Sequence, residues 1–291
     1  MKIILIIIAI IFAALLIEIY RELHHFEVVT YEICSEKLKG IGSSGKIVFL
    51  SDLHSQEYGH HNEILIQKIR EIEPALILIG GDMFVKKAQY SYEPALSFVK
   101  EIAKYFPVYY ANGNHEQRRK ENPEDYEQSY EDYKEELEAS GVYFLENDSR
   151  DFLFEQCRVN ITGLEIPEEC YAHFHEVPLS AEEITDRIGE PQKNTYQILL
   201  AHNPTYMEKY VDWGADLILS GHLHGGVVRI PGVTGVISPA FQLFPKYSGD
   251  HYRKGDSDIV VSKGLGVHTI KVRLFNPAEL IVLNLREKTT T

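Results

Sequence analysis

Apolar residues in this chain gather in short unbroken runs set between polar stretches of helical spacing. Five runs stand out: Lys46-Ile47-Val48-Phe49-Leu50, Ala75-Leu76-Ile77-Leu78-Ile79, Pro107-Val108-Tyr109-Tyr110-Ala111, Gln197-Ile198-Leu199-Leu200-Ala201 and Asp216-Leu217-Ile218-Leu219. Runs this short, bounded by turn residues, predict strands buried on both faces. Residues 63–71 and 94–105 carry apolar side chains at helical spacing, the first closed by Pro74. Strand and helix alternating in this way predict an α/β architecture. A looser alternation at 24–34 predicts an earlier strand, residues 152–162 a hairpin, and the tail two more strands near 259–262 and 279–285. Tyr126, Tyr130, Tyr133 and Leu137 predict one inserted helix within 121–141, acidic on its solvent face. Residues 165–194, broken by Pro167, Pro178 and Pro191, predict an irregular segment overhanging a cleft.

A sixth run, residues 3–17, is far longer. A helix from Met1 to Tyr20 would span roughly 30 Å, about one hydrocarbon thickness. The competing reading is a cleaved signal peptide, but no small-x-small pair follows the run; Glu18-Ile19-Tyr20-Arg21-Glu22 does. The expectation is an uncleaved single-pass anchor. Lys2 on one side and Arg21, Lys37 and Lys39 on the other barely bias its orientation. Glu18, Glu22 and Glu27 point to an extracytoplasmic domain at the cell membrane.

Composition narrows the function. The net charge of -14 argues against nucleic-acid binding, which needs clustered cations, but not against a phosphorylated small molecule met by bound metal ions. Cys34, Cys157 and Cys170 form no disulfide framework and no zinc motif. Cys170, His173 and His175 look metal-like, but no strand or helix pre-organises them. His60 and His61 read as solvated loop residues.

The chemistry sits where the buried runs end. Asp52 and His54, Asp82, Asn114, His202, and His222 and His224 each follow one of the five runs. In open α/β folds polar groups at strand ends meet in a crevice. Two metals about 3.5–4 Å apart need a shared carboxylate and mixed nitrogen and oxygen donors. Asp82, glycine-flanked, suits the bridge. In extended segments the Asp52/His54 and His222/His224 pairs would each point to one side, and His115 away from Asn114.

Asp52-x-His54, Gly81-Asp82, Gly113-Asn114-His115-Glu116, His202 and Gly221-His222-Leu223-His224 resemble, in order, the five motifs of the calcineurin-like metallophosphoesterase superfamily. The N-terminal apolar run, Leu200-Ala201-His202-Asn203-Pro204, His224-Gly225-Gly226 and Gly264-Leu265-Gly266 before Arg273 are similar to a bacterial membrane-linked branch. That branch includes UDP-2,3-diacylglucosamine pyrophosphatase-like proteins. Val227 and Pro277-Ala278-Glu279 depart from its usual pattern, and the segment around Glu165 lacks the acidic pair expected there.

The resemblance implies a two-sheet αββα sandwich preceded by one transmembrane helix. Residues 1–20 would form the anchor, 21–45 a juxtamembrane segment with the first strand, and 46–291 the catalytic domain. It implies two divalent ions (Mn, Fe or Zn), one on Asp52, His54, Asp82 and His224, the other on Asp82, Asn114, His202 and His222. His115 resembles the catalytic histidine beside the leaving group. The expected activity is hydrolysis of a phosphodiester or pyrophosphate by a metal-bound hydroxide, on a phosphorylated small-molecule, lipid-linked or nucleotide-sugar substrate. A non-catalytic scaffold of the same fold, binding a partner at the membrane, is the alternative.

Overall fold

The computed structural model describes residues 1–85, 91–172, 177–230, 234–238, 243–267 and 271–288. Helix α1 (Lys2–His24) leads through His25 alone into β1 (Phe26–Ser35). Then come β2 (Lys46–Leu50), α2 (Glu63–Ile72), β3 (Leu76–Ile79), α3 (Glu93–Ala103), β4 (Val108–Tyr110), α4 (Asn114–Glu121), α5 (Tyr130–Ala139) and β5 (Val142–Phe144). The second half holds β6 (Asp148–Phe154), β7 (Cys157–Leu164), α6 (Ala181–Ile188), β8 (Tyr196–Ala201), α7 (Met207–Trp213) and β9 (Leu217–Ser220). Strands β10 (Val228–Ile230), β11 (Thr234–Ile237), β12 (Asp250–Lys254), β13 (Ser257–Val261) and β14 (Ala278–Glu287) complete it.

Among the described residues these strands form two six-stranded sheets, β1-β14-β2-β3-β4-β5 and β12-β13-β9-β8-β7-β6, with β10-β11 apart as a two-stranded ribbon. The central strands β2 to β5 and β7 to β9 run parallel, as buried apolar runs joined by crossovers must.

Strand periodicity sorts the core into three layers. Ile47, Phe49, Leu76 and Leu78 of the first sheet meet Ile161, Ile198, Leu200 and Leu219 of the second between the sheets. Their neighbours Val48, Leu50, Ile77 and Ile79 turn outward onto Leu65 and Ile69 of α2, Val99 of α3 and Leu137 of α5. Leu199, Ile218 and Ile259 turn the other way, onto Ile184 of α6 and Met207 and Trp213 of α7. The result is an αββα sandwich.

Several elements differ from their expected form. The strand expected within 24–34 is β1, and it joins the edge of the first sheet by pairing with β14 along its whole length. The stretch 121–141 holds a 3-10 turn at Pro123–Asp125 and then the short α5, which starts late because Ser129 caps it by accepting the Glu131 and Asp132 N–H groups. Residues 165–194 are not irregular throughout. Ser180 and Glu183 form a capping box that starts α6, while Ile184 buries its apolar face.

α1 stands apart from the sandwich. Its apolar window has no residue buried against the domain, and it is long and apolar enough to cross a membrane. Its last turn is different: Glu22 is buried and its Oε2 accepts the Asn276 backbone N–H at 2.9 Å.

Ile198→Ala, which opens a cavity between the sheets, should lower the unfolding free energy by about 2–5 kcal/mol. Leu153→Ala on exposed β6 should change it by less than about 0.5 kcal/mol. Urea unfolding of the detergent-solubilised chain measures both.

Candidate metal centre

The carboxyl ends of β2, β3, β8 and β9 deliver Asp52, His54, Asp82, His202, His222 and His224 to one place, and Asn114 after β4 is followed by His115, whose N–H donates to Asp82 Oδ1 at 2.8 Å. Three sets have ligand atoms within 4.8 Å of one another: Asp52, His54 and His224; Asp82, His202 and His222; and His54, Asp82 and His115. Asp82 belongs to two of them. Its Oδ2 lies 3.1 Å from His202 Nε2, 3.8 Å from His115 Nε2 and 4.0 Å from His54 Nε2. Asp52 Oδ1 lies 3.3 Å from His224 Nε2 and 3.8 Å from both His54 Nε2 and His202 Nε2.

Second partners fix which ring nitrogens face the centre. His202 Nδ1 is 2.7 Å from the Gly80 carbonyl, and His224 Nδ1 is 3.0 Å from the Gly266 carbonyl. A carbonyl only accepts, so both Nδ1 atoms carry the hydrogen, and in neutral imidazole both Nε2 atoms are lone-pair acceptors. With the imidazoles neutral, those acceptors face carboxylate oxygens, which are also acceptors, and His224 Nε2 lies 3.1 Å from His54 Nε2 as well. Asn114 Oδ1 is buried with no hydrogen-bond partner among the described residues. Acceptors aimed at acceptors in a buried space are what a bound cation relieves, so the donor set fits divalent metal ions.

Charge follows the same geometry. Burial pushes the Asp52 carboxyl up to about 6, with Asp82 adding to the push and His202 opposing it. Burial works against a charged His202, but Asp82 and Asp52 outweigh it and raise the imidazole to about 10. Burial likewise works against an ionised Asp82, yet His115 and His202 hold it well below the carboxylate range.

Extended segments do not produce this convergence. Asp52, His54, Asp82, His222 and His224 all have positive φ, between 48° and 69°. Strands β2, β3 and β9 thus run into left-handed backbone at their ligand-type residues, whereas Asn114 and His202 lie outside that region. Nor does His115 point away from the site. Asn114 opens α4, where successive side chains diverge by about 100° rather than 180°. His115 therefore also faces the cluster, its ring 4.8 Å from that of His54.

Glu116 makes that helix start possible. Its Oε2 accepts the N–H groups of Asp82 at 2.8 Å and Gly113 at 3.0 Å; its Oε1 accepts the Met83 N–H and the Tyr110 hydroxyl at 2.8 Å each. Burial and the Asp82 charge push its carboxyl up to about 7 against those donors. Gly113 must be glycine, because a Cβ there would lie 2.3 Å from Asp82 Oδ1.

Arg273 supports the opposite wall. Fully buried, it donates to the carbonyls of Lys263, Gly264, Gly266 and Asn276. The Gly266 carbonyl is the one that orients His224. Neither role was assigned from the sequence, although both residues stand in its motifs. Tyr171, 5.2 Å edge-to-face from His222, also lines the site unanticipated. Cys170 is buried, its neighbours His173 and His175 lie outside the described residues, and Cys34 is exposed.

A family model, calcineurin-like phosphoesterase, matches residues 45–226. The chain belongs to that family. It is thus a phosphoester hydrolase, and its Asp and His clusters suit the divalent metals such enzymes use. Metallophosphoesterase YkuE of Bacillus subtilis is 25% identical to this phosphoesterase over 271 residues, 92% of this chain and 88% of its own. Phosphodiesterase YaeI of Escherichia coli is 25% identical over 249 residues, 84% of each chain. The phosphopantetheinyl hydrolase PptH from Mycobacterium tuberculosis superposes with a TM-score of 0.45 at 12% identity, over 78% of this chain and 90% of that one.

Glu116→Gln keeps the volume but turns an amide NH2 toward backbone donors. Divalent-cation binding, followed by calorimetry, should weaken by about 10–100-fold, with a lower unfolding midpoint. Unchanged binding would remove Glu116 from the support of Asp82.

Proposed function

We propose that this chain is a binuclear-metal phosphohydrolase that cleaves a phosphodiester or pyrophosphate bond of a lipid-linked or nucleotide-sugar substrate at a membrane. The observation that carries the reading is the facing of acceptors: His202 Nε2 toward Asp82 Oδ2 and His224 Nε2 toward Asp52 Oδ1, at 3.1 and 3.3 Å. Asp52, His54, Asp82 and His224 would hold one ion, and Asp82, Asn114, His202 and His222 the other. When bound, the ions lower the pKa of a coordinated water and neutralise charge on the phosphoryl oxygens.

The rest is the work of this chain's residues. The Gly80 and Gly266 carbonyls hold the two imidazoles in the tautomer that presents Nε2. His115, 3.8 Å from Asp82 and with its ring 4.8 Å from that of His54, is assigned no ligand role in this reading. Its Nε2 would hydrogen-bond a non-bridging oxygen and give a proton to the leaving oxygen. The scaffold alternative gains no support, since no residue of the five motifs is missing. Burial of Glu22 in the domain supports retention of α1, and Glu18, Glu22 and Glu27 support an extracytoplasmic domain.

Elemental analysis of purified, metal-replete protein should give two ions per chain. Asp82→Asn should weaken both sites and His54→Ala mainly one; a wild-type stoichiometry of one would sink the binuclear reading. His115→Ala should keep its metal and lose turnover by roughly 10²–10⁴ on alkyl diesters, the scale of a general acid–base group. The loss should be smaller on nitrophenyl esters, whose leaving group needs no proton; full activity on alkyl diesters would exclude His115 from the chemistry. Intact mass of the membrane-fraction protein should include α1. A mature chain starting near Leu23 would contradict the anchor.

A further inference from the structure

One residue joins α1 to the metal centre. The Asn276 backbone N–H donates to Glu22 of α1 at 2.9 Å, while its Nδ2 donates to the carbonyls of His224, at 2.7 Å, and Gly226. Glu22 lies two residues past Tyr20, about 3 Å along the helix axis. That is the start of the headgroup layer if Met1 to Tyr20 span the hydrocarbon. With His25 alone between α1 and β1, the domain has no tether on which to stand off from that layer.

A continuous backbone path runs sideways from Asn276. Leu274 bridges Val228 and accepts the Arg229 N–H at 3.0 Å, so β10 lies beside it. β10 pairs with β11, and beyond β11 the Phe244 N–H reaches the Val236 carbonyl at 3.0 Å. Along this path Phe275 is 45% exposed, Ile230 44%, Leu243 67% and Phe244 58%. Scattered apolar residues on a surface are ordinary, but these four share one hydrogen-bonded ribbon that starts at the anchor. The acidic chain would gain nothing by presenting them to water.

We propose that this ribbon is a second membrane contact: Phe275, Ile230, Leu243 and Phe244 rest in the interface of the bilayer that α1 spans. The inference rests on the anchor reading and extends it. α1 fixes the domain laterally at one point; the ribbon adds a second, removing rotation about that point. Aromatic and branched side chains at headgroup depth are the residues such a contact uses. Since Asn276 also holds the His224 and Gly226 carbonyls, the metal centre is fixed in orientation against the lipid surface. Phosphate groups carried by lipids are then within its reach, whereas a soluble substrate needs no such ribbon.

The test places a fluorophore on single cysteines of the full-length chain in nanodiscs of phosphatidylcholine and phosphatidylglycerol. The background is Cys34→Ser, because Cys157 and Cys170 are buried. Labels go on Phe244→Cys, Phe275→Cys, Ile10→Cys within α1, and Leu153→Cys, an exposed position on β6 at the far edge of the second sheet. Nitroxide-bearing lipid should quench the labels at 244, 275 and 10, and aqueous iodide should quench only the one at 153. Iodide quenching at 244 and 275 equal to that at 153, with the label at 10 still quenched by lipid, overturns the ribbon and leaves the anchor. Iodide reaching the label at 10 overturns both.

Discussion

Everything in this phosphoesterase answers to one electrostatic demand: two buried carboxylates and several imidazole lone pairs brought within about 4 Å of each other. Asp52 and Asp82 are both almost wholly buried, and among the described residues neither forms an ion pair with a lysine or arginine. Without a cation the set relaxes only by taking up protons, which is why Asp52 rises to about 6 and His202 to about 10. Such a cluster opposes folding, since burying charge without a partner is costly. The two sheets, with cores sealed on three levels, hold it in place.

How they hold it is visible in the backbone. Left-handed conformations at five ligand-type residues cost of order 1–3 kcal/mol each when unsupported. Here the kinks are tied to one another across strands. Asp52 N–H donates to the Gly81 carbonyl, His54 N–H to the Asp82 carbonyl, and Gly266 N–H to the Asp52 carbonyl, at 2.9, 3.1 and 2.6 Å. Glu116 ties β3's kink to the start of α4, and Arg273 ties the Gly264–Gly266 turn to the segment that carries Asn276. The site is therefore a lattice of loop-to-loop hydrogen bonds hung on strand ends. Its two supporting charges, Glu116 and Arg273, bond mainly to backbone rather than to an opposite charge.

That arrangement explains what was legible in the sequence. Continuous apolar runs such as Leu76–Ile79 and Leu217–Ser220 announce themselves because both of their faces are buried. Residues following five such runs could be picked out by type alone. Short elements with one wet face could not: β10 to β12 and α7 have too few residues to show a period, and the capping box of Ser180 and Glu183 was hidden among prolines. The direction of a side chain was also illegible wherever the backbone left the extended region, which is why His115 faces the cluster. Glu116 and Asn276 bond backbone groups 34 and 52 positions away, and the Asn276 N–H reaches a Glu22 carboxylate 254 positions away; no local pattern encodes such partners.

The overall charge of -14 sharpens the case for a metal-centred substrate site. An anionic phosphate approaching this surface is repelled at long range, though salt screens that repulsion beyond about 8 Å. At close range the sign must reverse. The cluster's neutral donors, Asn114 and the imidazoles, add no negative charge to that of Asp52 and Asp82. Under the binuclear reading two divalent ions then leave the centre positive by about two charges, in a site walled by low-dielectric strands where Coulomb terms are large. A neutral asparagine in place of a third carboxylate thus has a consequence beyond geometry. In that reading it keeps the centre attractive to phosphate inside a chain that is otherwise acidic.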